Sequence, residues 1–126
     1  MKNKILQGLN AYISGRSAEQ KACSFLQKKG YKLIARNTRA RRGIGANEID
    51  LIMEKDKTLV FVEVKKRASV SDGAYAITPT AQKRIYRAAE IFWAQHPEFA
   101  DYFCRFDAVF ICEHKDPVHL VDAWRG

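Results

Sequence analysis

Residues 48–65 read Glu48-Ile-Asp50-Leu-Ile-Met-Glu-Lys-Asp-Lys-Thr-Leu-Val-Phe-Val-Glu63-Val-Lys65. Two apolar runs, Ile49 to Met53 and Leu59 to Val64, flank the charged segment Glu54-Lys-Asp-Lys57, the pattern of a β-hairpin. Side chains alternate faces along a strand, so Glu48 shares a face with Asp50, and Glu63 shares one with Lys65, Leu59 and Phe61. Val60, Val62 and Val64 fill the other face. A strand apolar on both sides predicts a central, covered position in a sheet.

Burial there is costly for Glu63 and Lys65 unless they have partners, a metal or a task. Asp50, twelve intervening residues and then Glu63-x-Lys65 suit a metal-dependent phosphodiesterase. Two carboxylates can hold Mg²⁺ or Mn²⁺ through oxygen, and a lysine one pleat away can serve a bound water. The same spacing also suits a structural ion-pair cluster. The apolar setting of Glu63 favours the metal.

A chain of 126 residues with 47% hydrophobic and 29% charged residues makes one ordinary globular domain. No apolar run approaches the roughly 20 residues that span a bilayer, and the N-terminus lacks the pattern of a secretory signal. The expectation is a cytoplasmic protein with no membrane partner. Twenty-two Lys and Arg against fourteen Asp and Glu leave a net charge of +8, which favours nucleic acid, DNA first. The basic residues are grouped: Arg36, Arg39, Arg41 and Arg42 before the acidic strand, Lys65, Lys66 and Arg67 after it, then Lys83, Arg84 and Arg87.

Cys23, Cys104 and Cys112 form no Cys-x-x-Cys pair, so neither a disulfide framework nor a zinc ribbon is supported. Cys112, His114 and His119 make a loose cluster better suited to surface or core roles. Gly43-Ile-Gly45 lacks the third glycine and the following helix of a dinucleotide loop.

Residues 1–14 read as an arm or short helix. Ser17 is a helix N-cap candidate with Gln20 three residues on; Ala18, Ala22, Phe25 and Leu26 form an apolar face, and Gly30 stops the helix. Glu19 lies at the margin of that face. A strand follows over 31–36, then a polar loop over 37–47. Residues 68–77 show little periodicity. Thr78-Pro79 opens a second helix with the stripe Ala81, Ile85, Ala88, Ala89 and Phe92, which ends before Pro97. Gln82 and Tyr86 lie beside that stripe, and Lys83 and Arg87 form a basic face open to solvent or to a DNA backbone. Strands over 105–112 and 118–124 complete an α/β domain, a mixed central sheet of four or five strands flanked by helices in the order αβββαββ.

Laid out this way, the sequence resembles the YraN-type family of small bacterial proteins. That family is similar to the restriction-endonuclease-like nucleases, the PD-(D/E)-x-K superfamily, and among them the archaeal Holliday junction resolvases. The resemblance spans about residues 15–124. It rests on Gly15-Arg-x-Ala18-Glu19 with Ala22, Gly30-Tyr31, Arg36-Asn37, Glu48-Ile-Asp50-Leu-Ile, Val60-Phe-Val-Glu63-Val-Lys65-x-Arg67, Ala76-Ile-Thr78 with Lys83, and Arg105-Phe-Asp107. It implies an endonuclease-like domain over 15–126 in which Asp50 and Glu63 bind Mg²⁺ or Mn²⁺, Lys65 assists the water or the phosphate, and Glu19 completes the site. Gln82 or Lys83 would approach the substrate phosphate. Asn47 stands where the family usually has glycine. The implied activity is metal-dependent phosphodiester hydrolysis on DNA, branched or structured, by a homodimer; the alternative is an inactive nucleic-acid-binding module of the same fold.

Overall fold

The computed structural model describes residues 18–38, 49–67 and 77–125. Helix α1 covers residues 18–28, followed by strands β1 (Lys32–Thr38), β2 (Ile49–Lys55) and β3 (Thr58–Arg67). Helix α2 (Pro79–Gln95) and a 3₁₀ turn (Pro97–Phe99) lead to β4 (Phe103–Cys112) and β5 (Val118–Trp124). The observed order is the expected αβββαββ, and the sheet runs β1-β2-β3-β4-β5. Only the β3–β4 pair is parallel, so the sheet is mixed and β3 is its centre. Residues 1–17, 39–48 and 68–76 lie outside the described residues, and with them the expected N-terminal arm, the Ser17 cap, Glu48, Arg39, Arg41 and Arg42.

Local chemistry explains the element ends. Asp56 and Lys57 have φ of 51° and 57°, both positive, the two-residue turn whose twist matches a β-hairpin. Gly30 has φ of +94°, and the N–H groups of Gly30 and Tyr31 donate to the carbonyls of Gln27 and Leu26 at 3.0 and 3.1 Å, closing α1 with a Schellman motif. Thr78 caps α2 by accepting from the Ala81 N–H at 3.2 Å, with Pro79 at the first helical position.

The core has two layers, one on each face of the sheet. Ala81, Ile85, Ala88, Ala89 and Phe92 of α2, the expected stripe, pack with Ile52, Leu59, Phe61, Ala108 and Phe110. Ala18, Ala22, Cys23 and Leu26 of α1 pack with Leu51, Met53, Val60, Val62, Val109 and Ile111. Phe25, expected in the apolar face of α1, is only half-buried, and Cys23 takes the core position. The helical stripe winds with the 3.6-residue period, and the sheet surface decides which side of it is covered.

On the α1 face a polar network sits inside the core. Asp107 is fully buried, and its two oxygens accept from Arg105 Nε and Nη2, both at 2.8 Å. The Asp122 N–H donates to it at 2.9 Å, and His119 Nε2 lies 2.7 Å from Oδ2. Burial would raise the Asp107 carboxyl, but the hydrogen bonds from His119, Arg105 and Asp122 outweigh it and hold the group below the usual carboxylate range. Arg105 also donates to the Tyr31 hydroxyl at 2.8 Å, and His119 Nδ1 lies 3.4 Å from Lys29 Nζ. The network thus ties the C-terminal end of α1 to β4 and β5. His119, grouped by sequence with Cys112 and His114, belongs instead to this cluster.

Removing the buried carboxylate leaves the partly buried Arg105 guanidinium without its counter-charge and the Asp122 N–H and His119 with a weaker partner. Asp107→Asn is expected to destabilise the protein by about 3 kcal/mol, read as a lower denaturant midpoint with unchanged slope. An unchanged midpoint would show the network to be energetically idle.

Candidate functional site

The site begins with strand register. Leu51 pairs with Val62 and Ile52 with Phe61, so one step further along the hairpin sets Asp50 opposite Glu63 on the α2 face. The regular ladder gives way there, and Asp50 Oδ2 accepts the Val64 N–H at 2.8 Å. The Asp50 and Glu63 carboxyl groups stand near enough to act on one another. Glu63 is buried because β3 is central and covered, and Lys65, one pleat on, places Nζ 3.6 Å from Glu63 Oε2.

Like charges facing each other across a strand pair repel. Burial first, then the hydrogen bond and charge of Glu63, and last the charge of Glu19, push Asp50 up to about 8 against the pull of the Val64 N–H. Glu19 on α1 is therefore near enough for its charge to act on Asp50. Asp50 thus feels the charge of two further acids, Glu63 on β3 and, more weakly, Glu19 on α1.

The donor set can be weighed against a metal. It is made of carboxylate oxygens, hard ligands suited to Mg²⁺ or Mn²⁺ and ill suited to Zn²⁺. Among the described residues no three His, Cys, Asp or Glu side chains form a metal-ligating group. A Mg²⁺ ion, which keeps several waters and takes one or two carboxylates plus substrate phosphate, needs no fuller cage. Asp50 and Glu63 fit that pattern, and a cation between them would offset the repulsion between the two carboxylates.

The basic residues fall in several places. Arg36 is exposed on β1 and donates to Gln20 on α1 at 3.0 Å. Lys66 is exposed near the end of β3, where Arg67 is the last residue. Lys83 and Arg87 lie exposed on the outer face of α2. Gln82 is directed elsewhere than the acids: its Nε2 donates to the Ile77 carbonyl at 2.8 Å, tying down the start of α2. The side chain that α2 does bring to the site is Arg84, with Nη2 3.7 Å from Glu63 Oε2. Sequence reading placed Arg84 in a basic group without a role. Its spacing of three from Ala81 and four from Ala88, both buried, was the signal that it lies on the flank facing the sheet.

Fold and site together define a small α/β domain carrying a carboxylate–lysine–arginine cluster on its central hairpin. The model of a family described as "Uncharacterised protein family UPF0102" matches residues 18–111, and the chain belongs to this family. A UPF0102 protein of Rhodopseudomonas palustris (strain CGA009) is 42% identical over 120 residues, covering 95% of this chain and 89% of the relative. One from strain BisB18 of the same species is 46% identical over 114 residues, 90% of this chain and 82% of the relative. A third, from Bradyrhizobium diazoefficiens, is 42% identical over 114 residues, 90% and 83% of the two chains.

The raised Asp50 sets a pH dependence. A carboxyl with a folded value near 8, above its ordinary 3.8, contributes stability that is whole below pH 3.8 and lost as pH climbs toward 8. Asp50→Asn, which keeps an acceptor for Val64 and a donor for Glu63, is expected to match the wild type near pH 4. By pH 8 and without metal it should exceed it by on the order of 2 kcal/mol, screening allowed for. Thermal melts across that range check this, and an asparagine variant less stable at pH 8 would overturn it.

Proposed function

We propose that this protein is a metal-dependent endonuclease-like enzyme of the restriction-endonuclease-like class that hydrolyses phosphodiester bonds in DNA, with branched or structured DNA as its substrate. The observation that carries this reading is the meeting of Asp50 and Glu63 on the central hairpin, with Lys65 beside them and Asp50 raised first by burial and then by its neighbour Glu63. A buried acid and a half-buried one that repel each other are a poor structural device and a good cation seat. The net charge of +8, with Lys83 and Arg87 exposed on the helix that lies over the site, supports a polyanionic substrate.

In this reading Asp50 and Glu63 hold Mg²⁺ or Mn²⁺, and Glu19 adds negative charge beside them. When bound, the ion would acidify a water and polarise the phosphoryl oxygens. Lys65 reaches the same point from β3, where its ammonium group stabilises charge developing on the phosphate. Hydrolysis joins the water oxygen to phosphorus and breaks the bond to one sugar oxygen. The basic side chains grip backbone phosphates and read no bases, so structure rather than sequence selects the substrate. A homodimer belongs to this reading, one copy facing each strand of a branch.

A cleavage time course on linear, flapped and four-way DNA with Mn²⁺ or Mg²⁺ tests the proposal. The wild type is expected to cut at least one substrate, and Glu63→Gln and Lys65→Ala each to lose roughly a hundredfold or more in rate. If nothing is cut while DNA is still bound, the domain is a binding module of the same fold. Binding itself should weaken with salt, and Lys83→Ala with Arg87→Ala should lower the slope of log K against log salt by about 2. An unchanged slope would remove the outer face of α2 from the interface.

A further inference from the structure

The protein contains two arginine–carboxylate pairs of different build. Arg105 grips Asp107 through two parallel 2.8 Å contacts, the planar fork-to-fork geometry of a permanent bond. Arg84 does not grip Glu63 in this way. Its Nη2 lies 3.7 Å from Oε2, outside hydrogen-bond range, and its Nε is buried with no hydrogen-bond partner among the described residues. A buried N–H without an acceptor costs about 1–3 kcal/mol, so this seat is not an optimised one for a guanidinium. Arg84 shares Oε2 with Lys65, which stands 3.6 Å away, so two cations crowd the carboxylate oxygens that a divalent ion would use. The Arg84 side chain is still 37% exposed and opens to solvent from beneath α2.

We propose that Arg84 is an exchangeable counter-ion that neutralises Glu63 in the metal-free protein and turns to a phosphate oxygen of the substrate when a divalent ion takes the carboxylate. Metal and phosphodiester then bind cooperatively. The inference rests on the reading of Asp50 and Glu63 as the metal holders. A divalent ion entering alone must displace the guanidinium from Glu63 and leave two positive groups facing each other. A phosphate between them supplies the missing acceptor, and its two free oxygens match the fork of the guanidinium. By reciprocity, phosphate strengthens metal binding as much as metal strengthens phosphate binding.

Calorimetric titration of Mn²⁺ into the wild type, Arg84→Met, Arg84→Gln and Glu63→Gln tests this, each with and without a short phosphorothioate oligonucleotide whose linkages resist cleavage. Without oligonucleotide, the two Arg84 variants are expected to bind Mn²⁺ about fivefold or more tightly than the wild type, because the competing cation is gone. With oligonucleotide, wild-type affinity should rise by a larger factor than that of either variant. Arg84 variants that bind Mn²⁺ no more tightly than the wild type, while Glu63→Gln loses binding, would overturn the exchange and leave the metal site standing. No Mn²⁺ binding by any of the four proteins would overturn the metal reading and the exchange with it. Using both Met and Gln keeps the comparison decisive should one variant fail to fold.

Discussion

The register of the β2–β3 hairpin is the constraint on which the rest depends. A two-residue turn at Asp56 and Lys57 sets Leu51 against Val62, and Asp50 then stands across from Glu63. A slip by one residue would turn Asp50 toward the α1 face and separate the acids. Because β3 is also the central strand, with α1 over one face and α2 over the other, the meeting takes place where water is scarce. Repulsion between neighbouring carboxyl groups is weak in water and strong there. The fold accepts that cost at one point of an otherwise apolar hairpin.

Two charged clusters share the sheet and divide the work. On the α1 face Asp107, Arg105, His119 and Tyr31 are joined by short hydrogen bonds, which makes them a fastening for the C-terminal end of α1. Glu19 is near the other end of that helix, so the fastening also helps to fix where its charge falls relative to Asp50. On the α2 face the contacts of Glu63 with Lys65 and Arg84 are long and incomplete. Satisfied networks rigidify a core, whereas partly satisfied ones leave groups free to change partners. Within one protein, a closed cluster of short hydrogen bonds thus stands against an open one of long contacts.

Much of the fold was legible because periodicity is a local property. The hairpin, the stripe from Ala81 to Phe92, the Thr78 cap and the Gly30 stop follow from side-chain alternation, helical spacing and turn chemistry over a few residues. The element order and the central place of β3 followed too, since a strand apolar on both faces has nowhere else to go. Asp50, Glu63 and Lys65 stood out as charges set in apolar runs. Belonging to one domain of this size also followed from length and composition.

Other features depended on contacts between distant segments. Periodicity assigns a residue to a face but not to a partner, so Gln82, Lys83 and Arg84 could not be ranked until α2 lay on the sheet. Arg84 then met Glu63, and Gln82 turned back to Ile77. His119 and Asp107 likewise gave no sign of each other across twelve positions until β4 and β5 paired. The sequence by itself determined which elements form and which acids lie in apolar surroundings, because both depend on neighbours along the chain. Only the tertiary structure decided which charges face one another and how tightly, because those distances depend on how helices cross a twisted sheet.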